Sequence, residues 1–487
     1  MKIVIVGGGT AAWMACAALA KTFPDYDITL IKGGDPIGVG ESTTPHINQY
    51  LKYMGIDDKT FLTAARATYK SSSRFENFTE LDHVFHYPNG QAPALNLTDA
   101  TFHDWMLAKA YGHNPPPFAD VFMPFVTVAE EKKMPLNHSL LIPYDISKDR
   151  SFHIDGSKFS TYLQETFCSA VRVVDSQVKS VSYDGNRISG VFLERGPYDL
   201  RAPSIDADLY IDCTGQTSTL GGALTTWVPF ESIPTDTAIV RKRDYIDKDK
   251  EMVPYTNAKG MSSGWQWTIP TWEYISEGYV FSSKFQTEEE AKEEFGDGKV
   301  IKFRNGRQKE AWVGNCVMIG LSYSFIEPLE STSLFSAHHG ILALVDSLRE
   351  EPGINQFMKD RFNHNMNEHC DGWKEFVEAH YYYSRRTDTP FWKHVTQDTR
   401  YDIQGAHDLV QFHMVGGDPV QHEAHPILYI LGGAGYTSVR RRSYQYFDYP
   451  PVPSQKVDEW NHLYLKRKKL AESLPTMYKY LQDTIFS

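Results

Sequence analysis

The chain has 487 residues, 41% of them hydrophobic and 23% charged, enough apolar content for two or more packed modules and too even a mixture for a disordered or fibrous protein. A formal net charge of −12 argues against a nucleic-acid partner, because phosphate binding needs a concentrated basic surface. Cys16, Cys168, Cys213, Cys316 and Cys370 are scattered without a CxxC pair, which points to reduced thiols in a cytosol-like compartment rather than a disulfide framework or a metal site. No apolar run approaches the roughly 18 residues of a membrane span, and a strand follows directly on Met1-Lys2, so no membrane partner and a cytoplasmic location are expected.

In chain order, Lys2–Val6 reads as a short apolar strand, Ala11–Ala20 as a helix of small residues and Ile28–Ile31 as a second strand. Thr44-Pro45 has the form of an N-cap followed by proline at the first helical position, with Gly55 closing that helix. Phe61, Leu62, Ala65 and Tyr69 fall near one face and predict a helix over Asp58–Thr68. Pro115–Pro117 marks a rigid loop. Val171–Asp184 and Arg187–Leu193 read as adjacent strands joined at Gly185-Asn186, and Ala207–Asp212 as a strand entering Thr214-Gly215. Strands are expected at Thr237–Arg241, Gly264–Ile269, Tyr279–Ser283 and Val317–Gly320, helices through Leu334–Glu378, Gly-rich turns at Gly432–Gly435, and a final helix near Trp460–Leu474.

Gly7-Gly8-Gly9-Thr10-Ala11-Ala12 fits G-x-G-x-x-(G/A) between the first strand and the first helix. A tight turn at Gly7 and a bare approach at Gly9 let a pyrophosphate reach the helix N-terminus, where unpaired N–H groups and the helix dipole favour an anion. The second strand ends in Lys32-Gly33-Gly34 rather than the acid that usually meets the ribose; Asp35 is a substitute from the loop, and Lys32 keeps an NADP reading open on this feature alone. A second Gly-rich turn, Gly38-Val39-Gly40-Glu41-Ser42, together with Asp212-Cys213-Thr214-Gly215 and Ile319-Gly320 at later strand ends, makes a discontinuous module of the kind that can wrap an extended FAD.

Five segments then become specific: GGGTAAWMA at Gly7–Ala15, GVGES at Gly38–Ser42, GWQWTIP at Gly264–Pro270, FIEPLEST at Phe325–Thr332 and HYYYSRRTDTPFW at His380–Trp392. In this order the chain resembles the flavin-dependent halogenases of the tryptophan halogenase family. The resemblance implies an α/β fold: an FAD-binding module of the flavin monooxygenase type, with an added mixed sheet and a largely helical substrate module. That module is expected over residues 1–350 (mainly 1–75, 145–220 and 305–350), with substrate-side segments 76–144 and 221–304 inserted and a largely helical module at 351–487. It also implies an oxidoreductase in which reduced FAD, O₂ and halide yield hypohalous acid, which halogenates an electron-rich aromatic carbon beside a lysine at the end of an internal tunnel. Phenols, indoles or another small aromatic, free or carrier-bound, are the expected substrate class.

By position, the resemblance makes Lys70 the tunnel-end lysine and Glu330 the active-site glutamate, with Ser331 completing their hydrogen-bond network; taken alone, Lys70 reads as an exposed helix-end lysine. An ammonium hydrogen-bonds and polarises hypohalous acid, a free amine forms a haloamine, and a carboxylate takes the proton lost when the ring regains aromaticity. Glu327 has the same side chain three residues earlier, but the family pattern assigns the role to the second glutamate. Gly7, Gly9, Thr10, Ala11, Ala12, Gly38, Gly40, Glu41, Ser42, Gly215 and Ile326 are the implied cofactor residues, and Thr332-Ser333 the implied halide residues. Ser333 stands where the family usually has glycine, a costly replacement if positive φ is needed there. Trp265 and Trp267, two apart in a strand, share a face and, with Ile269 and Pro270, stand on the tunnel and substrate side; the same tryptophans also read as core. His86 belongs to the substrate side too, in Phe85-His86-Tyr87-Pro88-Asn89, where the family has His-Pro-Phe and Asn89 replaces the phenylalanine. Tyr436 and the Tyr444–Tyr449 region are further candidate rings. No second dinucleotide fingerprint is evident, so a separate NAD(P)H:flavin reductase is the implied partner; homo-oligomerisation stays open. The alternatives are a flavin monooxygenase that hydroxylates its aromatic substrate directly, and a flavin-binding scaffold without turnover.

Overall fold

A computed structural model describes residues 1–33, 38, 40–90, 102–136, 141–142, 144, 149–194, 204–350, 353–401, 426–435 and 454–487. Asp35, Val39, Tyr436 and the Tyr444–Tyr449 region lie outside them. The chain divides into two compact units, one of residues 1–67, 154–236 and 302–374, the other of residues 68–153, 237–301 and 375–487.

The first unit is built on a six-stranded sheet in the order Trp312–Val313, Cys316–Met318, Leu209–Asp212, Lys2–Val6, Asp27–Lys32, Arg172–Asp175. Every neighbouring pair runs parallel except the first. Ile3, Val4, Ile5, Leu30, Ile31, Tyr210, Ile211 and Val317 are fully buried, the continuous apolar pattern of strands covered on both faces. The helix Thr10–Thr22 packs against helices Gly156–Phe167 and Thr332–Glu350. Its residues Ala12 to Leu19 are all buried, which an all-apolar run of mostly small side chains permits.

Local differences from the sequence reading have physical causes. The helix after the second Gly-rich turn is Ile47–Met54, with His46 and not Thr44 at its N-cap; Thr44 and Pro45 instead form a preceding turn whose carbonyls accept from Ile47 and Asn48. Gly55 closes that helix in the left-handed conformation, as its position suggested. The next helix, Asp58–Ala64, is capped by Asp57 and stops early because Arg66 takes φ 46°, so Thr68 and Tyr69 are strand residues. The expected strand Val171–Asp184 is two strands: Arg172–Asp175 joins the edge of the parallel sheet, while Val178–Asp184 forms a hairpin with Arg187–Leu193.

The second unit contains a seven-stranded sheet in the order Lys299–Lys302, Thr237–Arg243, Ile275–Phe281, Gly264–Pro270, Tyr255–Gly260, Ser72–Glu76, Val84–Pro88. Tyr255–Gly260 and Ser72–Glu76 pair in parallel. A short strand, Thr68–Lys70, pairs antiparallel with Ser151–Ile154 in the register Thr68–His153, Tyr69–Phe152, Lys70–Ser151. Helix Ser454–Ala471 packs on Phe125–Glu130, and helix Pro426–Gly433 on the Val84–Pro88 strand. That last approach depends on glycine: a Cβ at Gly433 would lie 2.2 Å from the Phe85 ring, and one at Gly432 would lie 2.2 Å from Phe118 of the helix Phe118–Phe122.

Candidate cofactor and catalytic sites

Gly7 takes φ 144°, and a Cβ there would lie 2.3 Å from the Cys213 carbonyl oxygen, so only glycine lets the first turn pass the end of the neighbouring strand. Gly9 is the N-cap of the 13-residue helix Thr10–Thr22, with extended backbone, no side-chain cap and no acid in the first turn. A Cβ at Gly9 would meet nothing within 4 Å. The helix therefore presents uncapped N–H groups to open space beside Thr10 and Ala11, while the Ala12 N–H donates to the Gly9 carbonyl at 3.1 Å, and this is the cradle a pyrophosphate needs.

Glu41 reaches this helix end: its Oε1 accepts from Thr10 Oγ1 at 3.3 Å, and Thr10 Oγ1 also lies 3.4 Å from the Gly156 carbonyl oxygen. A side chain at Gly156 would collide with Glu41. Removal from solvent, then repulsion from Asp155, raises the Glu41 carboxyl to about 7, against the opposing hydrogen bond from Thr10. Ser42 is buried just after it. At the end of the third strand Asp212 is fully buried; Oδ1 accepts from the Thr214 N–H and from the Thr214 and Ser322 hydroxyls, and Oδ2 from the Leu220 and Gly221 N–H groups. This one carboxylate holds the turn that carries Gly215, which has φ 72° and open space around it. Its organising role was not read from the sequence, where Asp212 showed only as the last residue of a strand.

The segment Phe325–Thr332 is organised the same way. Glu327 is fully buried, accepts from the Thr235 hydroxyl and donates its N–H to Asn305 Oδ1 at 2.8 Å, so the first glutamate of the motif is architectural. Glu330 lies buried in a single 3₁₀ turn, Pro328–Glu330. Ser331 then takes φ 59°, ψ 35°, and Thr332 opens the 19-residue helix Thr332–Glu350. The left-handed residue is thus Ser331, and Ser333 is an ordinary helical residue whose Cβ carries no backbone penalty. Thr332 and Ser333 line a cleft together with Ile326, His339, His369 and Trp373. Histidines gather around this helix: His338 and His339 on it, and His46 and His369 from other parts of the chain. Burial, then repulsion from His46, holds His338 at about 3, and burial, then His369, holds His339 at about 4, so both are neutral at pH 7.

In the second unit Lys70 is 2% exposed and ends the strand Thr68–Lys70, not an exposed helix. A buried lysine is rare enough to require a reason. Next to it His153 has both ring nitrogens engaged, Nδ1 with Thr68 Oγ1 at 3.2 Å and Nε2 with Thr256 Oγ1 at 2.8 Å. Burial, then the positive charge of Lys70, pushes the His153 imidazole well below its usual range, so it stays neutral beside the ammonium. Thr68 in turn donates to the carbonyl of Pro270, tying the lysine strand to the end of the GWQWTIP strand. In that strand Trp265 and Trp267 are both buried with ring centroids 6.2 Å apart, Ile269 is buried beyond them, and Trp267 Nε1 donates to Ser276 Oγ at 3.2 Å.

His86 is 5% exposed, with Nδ1 2.9 Å from Ser72 Oγ and Nε2 2.9 Å from Glu130 Oε2. Burial alone would raise Glu130, but hydrogen bonds from His86 and then Arg74 bring it down to about 2, so a carboxylate anchors the imidazole. The order Ser72–His86–Glu130 has the connectivity of a nucleophile triad, but Ser72 is fully buried.

With this geometry in place, the comparisons are decisive: the tryptophan halogenase family model matches residues 2–423. The chain belongs to the tryptophan halogenase family. It is 32% identical over 434 residues, 80% of this chain and 78% of the other, to tryptophan 7-halogenase RebH of Lentzea aerocolonigenes. The solved structure of VirX1 is 32% identical, with a TM-score of 0.88 over 100% of this chain and 99% of that one. BrvH, a flavin-dependent halogenase from Brevundimonas sp. BAL3, is 26% identical with a TM-score of 0.83 over 99% of each chain. The α/β fold is that of the flavin-dependent halogenases, and membership makes the chain an FAD-dependent oxidoreductase of the halogenase class. The uncapped helix at Gly9 and the open turn at Gly215 fit the FAD that family members use.

Two outcomes are expected. Gly7→Ala sets a Cβ against the Cys213 carbonyl at a positive φ and should cost more than about 2 kcal/mol, read as a lower thermal midpoint of the flavin-free chain. The folded Glu41 carboxyl, at about 7, holds a proton that the unfolded chain releases above its ordinary 4.5, so stability falls as pH rises through that window. Glu41→Gln should remove this loss, stabilising the flavin-free chain by roughly 1–2 kcal/mol at pH 8 and hardly at pH 4.5. Equal shifts at both pH values would contradict the protonated carboxyl.

Proposed function

We propose that this halogenase acts on a small electron-rich aromatic compound, a phenol or indole, and that Lys70 fixes which ring carbon is halogenated. Bound reduced FAD, with O₂ and halide, supplies hypohalous acid; a separate NAD(P)H:flavin reductase delivers the reduced flavin. The Lys70 ammonium donates a hydrogen bond to the oxygen of hypohalous acid and draws electrons from the O–X bond, leaving the halogen electrophilic. The ring carbon attacks the halogen, the C–X bond forms as O–X breaks, and the oxygen leaves as water with a proton from the lysine. A carboxylate takes the ring proton, the role the family pattern gives to Glu330, and a proton returns to the amine. Trp265 and Trp267 act as a ring wall that keeps organic molecules from the oxidant's source.

The observation that carries this reading is the 2% exposure of Lys70. An ammonium withdrawn from water interacts far more strongly with a polarisable oxidant than a surface lysine does. The relatives named for tryptophan support an indole, and Asn89 in place of the family's phenylalanine supports a different ring from free tryptophan.

The test is a panel of chloride, bromide and iodide against phenols and indoles, run with a flavin reductase and read by product mass. A halide-dependent mass increase is expected. Lys70→Ala should reduce halogenated product by about 10²-fold or more while flavin oxidation and release of hypohalous acid continue. A hydroxylated product without halogen under every halide overturns the proposal, as does retained regioselective halogenation by Lys70→Ala.

A further inference from the structure

We propose that Asn89 is a positioning residue for Lys70: its carboxamide, with the Ser151 hydroxyl, clamps the lysine's peptide and so sets where the ammonium stands. The inference rests on the role given to Lys70 above, but its grounds are separate. Asn89 Nδ2 donates to the Lys70 carbonyl oxygen at 3.1 Å and to Ser151 Oγ at 2.6 Å. Ser151 Oγ donates to the same Lys70 carbonyl at 3.1 Å. The Asn89 N–H donates to the Ser71 carbonyl at 2.8 Å. Asn89 is 4% exposed and Ser151 fully buried, so these contacts face no competing water.

The clamp lies where the chain changes partners. Up to Lys70 it pairs with Ser151–Ile154; from Ser72 it pairs with Tyr255–Gly260 and with Val84–Pro88. Between them Ser71 donates both its N–H and its hydroxyl to the Pro254 carbonyl. A short strand ending at a changeover is poorly held by its own ladder, and a lysine adds four flexible carbon–carbon bonds to any error at its root. Asn89 removes that error with two donors on one nitrogen, and Ser151 accepts one and passes a hydrogen bond on to the same oxygen, an arrangement in which each bond polarises the next. A phenylalanine at this position offers no donor, so a chain with a ring here must anchor its lysine otherwise. Asn89 accordingly acts on the lysine and does not touch the aromatic substrate.

The experiment compares Asn89→Asp, Asn89→Ala, Ser151→Ala and Lys70→Ala in the FAD-loaded enzyme with its reductase, measuring halogenated product per hypohalous acid formed, the KM for the aromatic substrate and product regioselectivity. Asn89→Asp keeps the shape but has no donor. It and Asn89→Ala are expected to lower the product ratio by about 10- to 100-fold, with free hypohalous acid rising in step, the KM unchanged and the isomer mixture broadened, because a displacement near 1 Å costs on that scale. Ser151→Ala, which leaves the direct Asn89 contact, should lower the ratio by about 2- to 5-fold. If the first two fail to fold, Ser151→Ala, which removes the hydroxyl's part in the clamp and little volume, decides, and an unchanged ratio in it overturns the clamp. Folded Asn89 variants with an unchanged ratio, beside an inactive Lys70→Ala, overturn the clamp alone. A loss expressed only as a higher KM also overturns it, since that marks substrate contact. An active Lys70→Ala overturns the function proposed above, and the clamp's purpose with it.

Discussion

A positive charge removed from water is the constraint on which the second unit is organised. Burying an ammonium costs several kcal/mol unless its surroundings are polar and ordered. The residues around Lys70 meet that demand with ordered hydrogen bonds. His153 is kept neutral by burial and by the lysine itself, its nitrogens occupied by threonine hydroxyls. Asn89 and Ser151 engage the lysine's carbonyl. Much of the polar order around Lys70 thus fixes its backbone.

The first unit solves a complementary problem, how to receive negative charge without supplying much positive charge. The Gly9 helix end offers N–H groups with no side-chain cap, and an acid that reaches it, Glu41, is displaced towards its neutral form at physiological pH. Asp212, by contrast, spends both carboxylate oxygens on local N–H and hydroxyl groups, which converts its charge into turn geometry.

Much of this was legible in the residues before any coordinates. The strand Lys2–Val6 and the glycine turn after it were, because a tight turn at Gly7 admits no other residue. So was the pairing of Trp265 with Trp267, which follows from the two-residue period of a strand. Thr44-Pro45 misled because a capping pair also makes a good turn, and nothing local decides which. The helix expected to run to Thr68 stopped at Ala64 since Arg66 adopts a left-handed conformation without the glycine that ordinarily signals one. For the same reason concern over backbone strain settled on Ser333, where glycine was missing, while the strained residue is Ser331. Asn89, seen in the sequence only as a lost ring, gains its meaning from Lys70 and Ser151, which lie 19 and 62 residues away.

The division of the chain into six alternating segments has a consequence for how the protein is made. The first unit takes residues 1–67, 154–236 and 302–374, and the second the three stretches between and after them. The central parallel sheet needs Lys2–Val6 beside Leu209–Asp212, and Leu209–Asp212 beside Cys316–Met318, so its first strand waits for more than 300 residues of later chain before the sheet is whole. On a ribosome adding about 5–20 residues each second, that wait lasts tens of seconds, for most of which the KIVIV strand has Asp27–Lys32 beside it but lacks Leu209–Asp212 on its other edge. Neither unit can be obtained by cutting the chain at one point, and the nascent protein has a long interval in which chaperone binding competes with the formation of its own core.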